Sequence, residues 1–306
     1  MSERIDSRLF EPLTVDKEEI NKIVRPNLTY WQDAWRRLKQ NKVAIISLVI
    51  LVLMIIIAVF GPMFSKYDYR TNDLAGGNQF PSAEHWFGTD ELGRDLFVRN
   101  LYGTRISLAV GIGAAFLEFF IGVIYGGISG YYGGNVDNIM MRIVDVLFSV
   151  PTVLYVILLM VVFGSGLKNI FIALGISYWV GMARIVRGQM LALKQQEFVL
   201  AARALGASNR RIILRHLVPN SMGPIIVTAT MAIPSAIFTE AFLSFIGLGV
   251  SAPMASLGVL CNDAIITYRT YFFQLLFPAL TLCIMMLAFN LFGDGLRDAL
   301  DPKMRK

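Results

Sequence analysis

VAIISLVILVLMIIIAVFGPM, residues 43–63, contains no charged side chain. A helix of that length, at about 1.5 Å per residue, crosses the roughly 30 Å of hydrocarbon in a bilayer. Forty-two mostly polar residues precede it, so it has the wrong position for a cleavable signal peptide and is expected to remain as an anchor. Further apolar segments at residues 106–128, 139–163, 170–183, 222–246 and 272–292 bring the expected number of spans to six. The fourth is the shortest, bracketed by Lys168 and Arg184. The whole chain agrees: 55% of its 306 residues are apolar and its mean hydropathy is +0.57, outside the balance of a water-soluble domain. The expected fold class is an all-α membrane protein.

The charges are topological. A formal net charge of +6 would suit nucleic acid on a water-soluble basic face, but here the basic residues border apolar runs. Lys22, Arg25, Arg36, Arg37, Lys39 and Lys42 precede the first span against Asp33. Arg184, Arg187, Lys194, Arg203, Arg210, Arg211 and Arg215 lie between the fourth and fifth spans against Glu197. Excess Lys and Arg mark cytoplasmic loops. Six spans return the tail, with Arg297, Lys303, Arg305 and Lys306, to the same side, so both termini are expected in the cytoplasm. The two cysteines, Cys261 and Cys283, have no metal-ligand or redox-motif spacing.

Residues 64–105 then lie outside. Gly88-Thr89-Asp90-Glu91 reads as a helix start, Thr89 or Asp90 capping and the acids meeting the positive end of the dipole, which predicts a short helix over 91–101. Gly122, Gly126 and Gly130 recur at four-residue spacing and strip one helix face for close packing. Pro151, Pro224, Pro234 and Pro278 each delete a backbone donor inside a span. Three acids, Glu118, Asp145 and Glu240, fall within spans, where an ionised side chain at the centre costs about 2.5–3.5 kcal/mol. Each must face protein or water. Two readings stand: a polar translocation path, or pairing across helices, with Arg142 three residues from Asp145 as its expected partner.

EFVLAARALGASNRRIILRHLVPN, residues 197–220, is the most informative loop. Helix formers run to Leu205, Gly206 is a natural stop, and Ser208 is placed to cap a second helix leading to the fifth span. Alanines at 201, 202, 204 and 207 keep the first helix slim enough for a groove on another protein. The competing reading is an Ala-rich, Arg-bearing helix lying on the lipid surface.

The spacing of Ala201-Ala202, Gly206 and Pro219 resembles the cytoplasmic-loop signature of ABC importer membrane subunits. Leu200 stands in place of that signature's leading glutamate. HWFGTDELGRD from His85, YGTRISL from Tyr102, FVLAARALGAS from Phe198, RHLVPN from Arg215, EAFLSFIGLGV from Glu240 and GDGLRDALDP from Gly293 resemble the dipeptide and oligopeptide (peptide/nickel) permease branch, most closely its second, C-type membrane subunit. Leu257 stands where that branch leads one to expect tryptophan. The resemblance implies the type I importer permease fold. Its parts would be a cytoplasmic segment 1–42, a first helix 43–63, an outer segment 64–102, a core 103–297 with five helices and a coupling loop 188–221, and a tail 298–306. It implies coupling to ATPase subunits through Ala201, Ala202, Arg203, Gly206, Ala207 and Pro219. The implied partners are a homologous second permease subunit, two cytoplasmic ATP-binding subunits that use ATP and Mg, an external peptide-binding protein and membrane lipid, in a bacterial or archaeal inner membrane.

The chain has no phosphate-cradling G-x-x-x-x-G-K-[ST] loop and no H-E-x-x-H pair, so neither catalysis nor a bound cofactor is expected of it. Within the resembling branch, nickel or another small solute is the alternative cargo. An ion-coupled secondary transporter using Glu118, Asp145 and Glu240 is a different class. Six spans without an inverted repeat are few for an internally duplicated carrier. A receptor or scaffold would need an outer domain larger than about 40 residues.

Overall fold

The computed structural model describes residues 29–301, and every regular element among them is helical. Lys22, Arg25, Lys303, Arg305 and Lys306, part of the charge count, and Pro302, which closes the GDGLRDALDP motif, lie outside the described residues. So do most of segment 1–42 and of the tail 298–306. The helices are α1 (Tyr30–Gln40), α2 (Lys42–Phe60), α3 (Leu96–Tyr132), α4 (Gly134–Ser149), α5 (Thr152–Phe163), α6 (Leu167–Leu193), α7 (Glu197–Ala204), α8 (Asn209–Ile212), α9 (Val218–Phe245), α10 (Leu257–Asp263) and α11 (Phe273–Leu300).

Five stretches are long and apolar enough to span: Lys42–Phe64, Leu96–Tyr132, Leu167–Leu193, Asn209–Phe245 and Phe273–Leu300. The chain is a multi-pass membrane protein. The expected third span, residues 139–163, is the correction. It is two helices, α4 and α5, bent by 86°. Pro151 sits at the break; it has no N–H, and it holds the residue before it, Val150, in extended backbone at ψ 131°. At about 1.5 Å per residue neither half alone crosses the hydrocarbon. The spans therefore number five, or six if the bent pair counts as one. The fourth expected segment, short in the sequence, is a 27-residue helix that carries Lys168 and Arg184 within it.

The expected short helix over 91–101 is also corrected. Thr89 and Asp90 do not cap. The Thr89 hydroxyl donates to the Gly76 carbonyl and accepts from the Gln79 N–H, and Gly93 turns the chain at φ +71°. Asp95 is the cap, accepting from Val98 N–H at 2.8 Å. From there α3 runs without interruption for 37 residues into the membrane.

The bundle is organised on α3 and α6. Gly122 faces the Met182 side chain and the Trp179 carbonyl, Gly126 the Ala183 carbonyl and Val186, and Gly130 the Arg187 carbonyl and Met190. A Cβ at any of these would strike α6 at 3.0 Å or less, so the glycine spacing does set a close backbone approach. On its other side α3 meets α9 where Gly111 lies under Ile233 and Ile237. α2 packs along α11, Gly295 against Ala44, and turns Ile46, Leu53 and Ile57 outward as a lipid-facing aliphatic surface.

Both described chain ends meet at one end of the bundle. The Tyr30 hydroxyl donates to the Leu300 carbonyl at 2.8 Å and Arg37 to the Asp301 carbonyl at 3.0 Å. Tyr30 also lies over Gly223, near the start of α9, so the basic residues of α1 and of the 194–217 segment share that end. At the opposite end Arg105 caps α2 through the Ala58 and Val59 carbonyls, both at 2.9 Å.

Gly126→Val should lower the thermal midpoint sharply, because overpacking costs about 1–3 kcal/mol even where side chains can yield and here the obstacle is backbone. Gly127, one residue on, has open space around its Cβ position, and Gly127→Ala should leave the midpoint unchanged or raise it. Thermal unfolding in detergent compares the two.

Candidate functional site

The loop singled out in the sequence folds as expected. α7 ends at Ala204, Gly206 adopts φ +78°, which favours glycine, and the Ser208 hydroxyl caps α8 by accepting from Arg211 N–H at 3.4 Å. Directly before Pro219 the backbone widens into a π turn over Ile213–Leu217. Proline offers no N–H to the ordinary ladder, and such local widening is a usual accommodation.

This loop is seated on the bundle. Val199 of α7, Ile212 and Leu217 are fully buried and form one cluster with Tyr131 of α3, Met182, Val186 and Met190 of α6, and Ile225 of α9. Polar contacts add to it: Tyr131 donates to Asn209 Oδ1 at 2.6 Å, and Lys194 to the Gly130 carbonyl at 2.9 Å. A cavity of about 540 Å³ between Tyr132, Lys194, Leu200 and Arg203 borders α7. Its outer face carries Ala201 and Arg203, both exposed, with Ala202 and Ala207 half-buried and Gly206 and Pro219 exposed. The sequence reading missed what crowns this face: Leu200 is 50% and Leu205 89% exposed.

The three membrane acids fall in three different settings. Asp145 does not pair with Arg142 of its own helix. Arg184 of α6 reaches across at 2.6 Å while its guanidinium lies 4.0 Å from the Phe148 ring centre. Packing of α6 beside α4 supplies this partner, which local spacing did not anticipate. Asp137, also unflagged, is held by Arg187 through two 2.6 Å bonds and by the Ser129 hydroxyl at 2.5 Å.

Glu240 is completely buried at the junction of α3, α9 and α10. Ser107 donates to it at 2.9 Å and Ser244 at 2.7 Å, and Ser256, the α10 cap, donates to Ser244 at 3.1 Å. Leu257 N–H reaches Ser107 Oγ at 3.4 Å, and Gly258 lies directly on Ala241. Glu240 thus holds the start of α10 against two spans. Glu118 is 5% exposed and its Oε2 has no hydrogen-bond partner. The three acids do not form a common site.

A fourth cluster, unseen in the sequence, lies at the end opposite α7. Asp90 accepts from Arg94 at 2.7 Å and from buried Arg99 at 2.8 Å, and Arg99 also reaches Asp263 of α10 at 3.4 Å. Gln274 of α11 donates to the Thr89 carbonyl at 2.9 Å and to Asn78 at 2.8 Å. The outer segment is thereby tied to α10 and α11, around a cavity of about 480 Å³. Among the described residues no group of His, Cys, Asp and Glu is arranged to hold a metal ion.

Glu240→Gln keeps an acceptor for one hydroxyl and should change the unfolding midpoint little. Glu240→Leu strands both serine donors and should cost about 1–3 kcal/mol. Paired melting curves of the two variants check this.

Comparison with known proteins places the whole chain. The family described as binding-protein-dependent transport system inner membrane component matches residues 122–306. The N-terminal TM domain of oligopeptide transport permease C matches residues 29–81. The oligopeptide transport system permease protein OppC of Bacillus subtilis is 53% identical, over 99% of this chain and 100% of its own length. The dipeptide transport system permease protein DppC of the same organism is 54% identical over 94% and 90%, and OppC of Escherichia coli 47% over 90% and 92%. Among solved structures, a chain of the MetNI methionine ABC transporter in inward-facing conformations superposes with a TM-score of 0.55 at 20% identity, over 67% of this chain and 96% of that one; it shares the fold. The chain belongs to the family of binding-protein-dependent transport system inner membrane components, in its oligopeptide permease C-type branch.

Proposed function

We propose that this chain is a membrane subunit of an ATP-driven importer of oligopeptides or dipeptides, with the type I importer fold. The single observation that carries the reading is near-full-length identity of 53% to a permease named for oligopeptide transport. The end of the bundle that gathers α1, α7 and the end of α11 faces the cytoplasm, in keeping with its basic residues. The chain catalyses nothing itself. ATP and Mg act on two cytoplasmic ATP-binding subunits, a homologous permease completes the pathway, and an external binding protein delivers the peptide.

Coupling then runs through α7. Ala201, Ala202, Arg203 and Gly206, with Leu200 and Leu205 beside them, seat in a groove on an ATP-binding subunit. Its closure shifts the bundle between inward-open and outward-open states, each state making different contacts with the ATPases.

Gly206→Pro replaces a φ of +78° with one fixed near −65°, and Ala202→Glu adds a charged, bulky side chain to the slim helix. Either should lower peptide uptake at least about tenfold, the cost of only about 1.4 kcal/mol at the coupling step, with membrane insertion unchanged. Uptake in membrane vesicles together with co-purification of the ATP-binding subunits reads both; wild-type uptake in either variant rejects the coupling role.

A further inference from the structure

α1 presents two unlike faces. Ala34 and Leu38 are buried, and Leu38 lies in one cluster with Ala44, Leu296 and Ala299. Arg37 is occupied by Asp33 at 3.0 Å and by the Asp301 carbonyl. These contacts fix the rotation of the helix. The opposite side is then set by spacing: Trp31, Trp35 and Lys39 fall in one row at four-residue intervals, and Gln32, Arg36 and Gln40 in the next, and all six are exposed. Trp31 and Trp35 are each about half exposed, at 51% and 50%. The Lys39 ammonium lies 5.3 Å from the centre of the Trp35 ring, within cation–π range. Among the described residues Arg36, Lys39 and Lys42 form no ion pair.

What covers this face follows from continuity. One residue, Asn41, in extended conformation at ψ 97°, separates α1 from the membrane-spanning α2. Val43 and Ile46, at the start of α2, are more than half exposed and face lipid. α1 therefore lies where hydrocarbon gives way to headgroups. At that depth indole rings are favoured, apolar body inward and N–H toward water. The cations beside them then meet the headgroup plane, and no acid on the exposed rows neutralises them.

We infer that the Trp31–Trp35–Lys39 row, with Arg36 and Lys42, is a binding site for anionic phospholipid headgroups that anchors α1 on the membrane surface. The indoles enter the interface and the cations hold lipid phosphate. The site is independent of what the chain transports.

The test uses the full chain reconstituted in phosphatidylcholine bilayers. These carry equal fractions of either brominated phosphatidylglycerol or brominated phosphatidylcholine, with bromine near the headgroup. The Trp31→Phe/Trp35→Phe variant gives the background from the remaining tryptophans. The signal belonging to Trp31 and Trp35 should be quenched more strongly by the anionic lipid. Arg36→Gln/Lys39→Gln should reduce that preference by about fivefold per cation, the equivalent of about 1 kcal/mol each near an anionic surface, and added salt should weaken it. Equal quenching by both lipids would remove the headgroup selectivity and overturn the inference. So would a preference left undiminished by loss of both cations. No quenching by either lipid would place the row against protein or water and overturn it as well.

Discussion

The contact on which the rest of this molecule depends is the seam between α3 and α6. Between helices in lipid the hydrophobic effect supplies no attraction, because an aliphatic side chain is as well solvated by acyl chains as by a neighbouring helix. Close backbone approach, which multiplies weak dispersion contacts, must take its place. Gly122, Gly126 and Gly130 provide it over more than two turns, each lying on the backbone or the Cβ of α6. Once the seam is closed the register of α6 is fixed. That register brings Arg184 to Asp145, Arg187 to Asp137 and Lys194 to the Gly130 carbonyl. It also sets Met182, Val186 and Met190 as the floor on which the loop is built.

Polar groups do a different task at the other end. There the spans give way to irregular chain, whose amides and carbonyls need partners. Asp90 collects Arg94, Arg99 and the Leu92 and Arg94 N–H groups, Gln274 holds the outer segment to α11, and Glu240 gathers serines from three elements. Hydroxyl donors satisfy the oxygens of a buried carboxyl group, so it is not left as an orphaned polar group. In a span, such an acid organises packing, and its presence alone does not mark an ion path.

How much was legible follows from how local each cause is. α2 announced itself by composition, and the seam by glycine spacing, because each depends on one helix's own residues. Gly206 and Ser208 act within a single turn, so the loop was readable too. Pro151 marked where the third expected span would bend but not by how much, because hydropathy is high on both sides of it and apolarity carries no information about direction. The start of α3 was misplaced by five residues of turn chemistry: Thr89 satisfies Gly76 and Gln79, whose proximity depends on how the outer segment folds back. Asp145 took Arg184 over the nearer Arg142, and Glu240 took Ser107, for the same reason. Those partners lie 39 and 133 residues away in the case of Arg184 and Ser107.

For a subunit proposed to receive force at α7, the distribution of stiffness matters more than the identity of any one side chain. Val199, Ile212 and Leu217 are packed without exposure into the bundle, and close-packed interiors transmit displacement because they compress little. A push on α7 is therefore delivered to α6 and α9 together. Their responses differ. α6 is locked to α3 along the glycine seam and must move with it as one body. α9 begins directly after a π turn, has Pro219 as its second residue, and holds Pro224 and Pro234 within it; an internal proline leaves a carbonyl without its ladder donor, so bending costs less there. The yielding element is α9, and its far half carries Glu240. Flexure of α9 thus bears directly on the serine cluster that seats α10, which joins the two ends of the molecule through one helix.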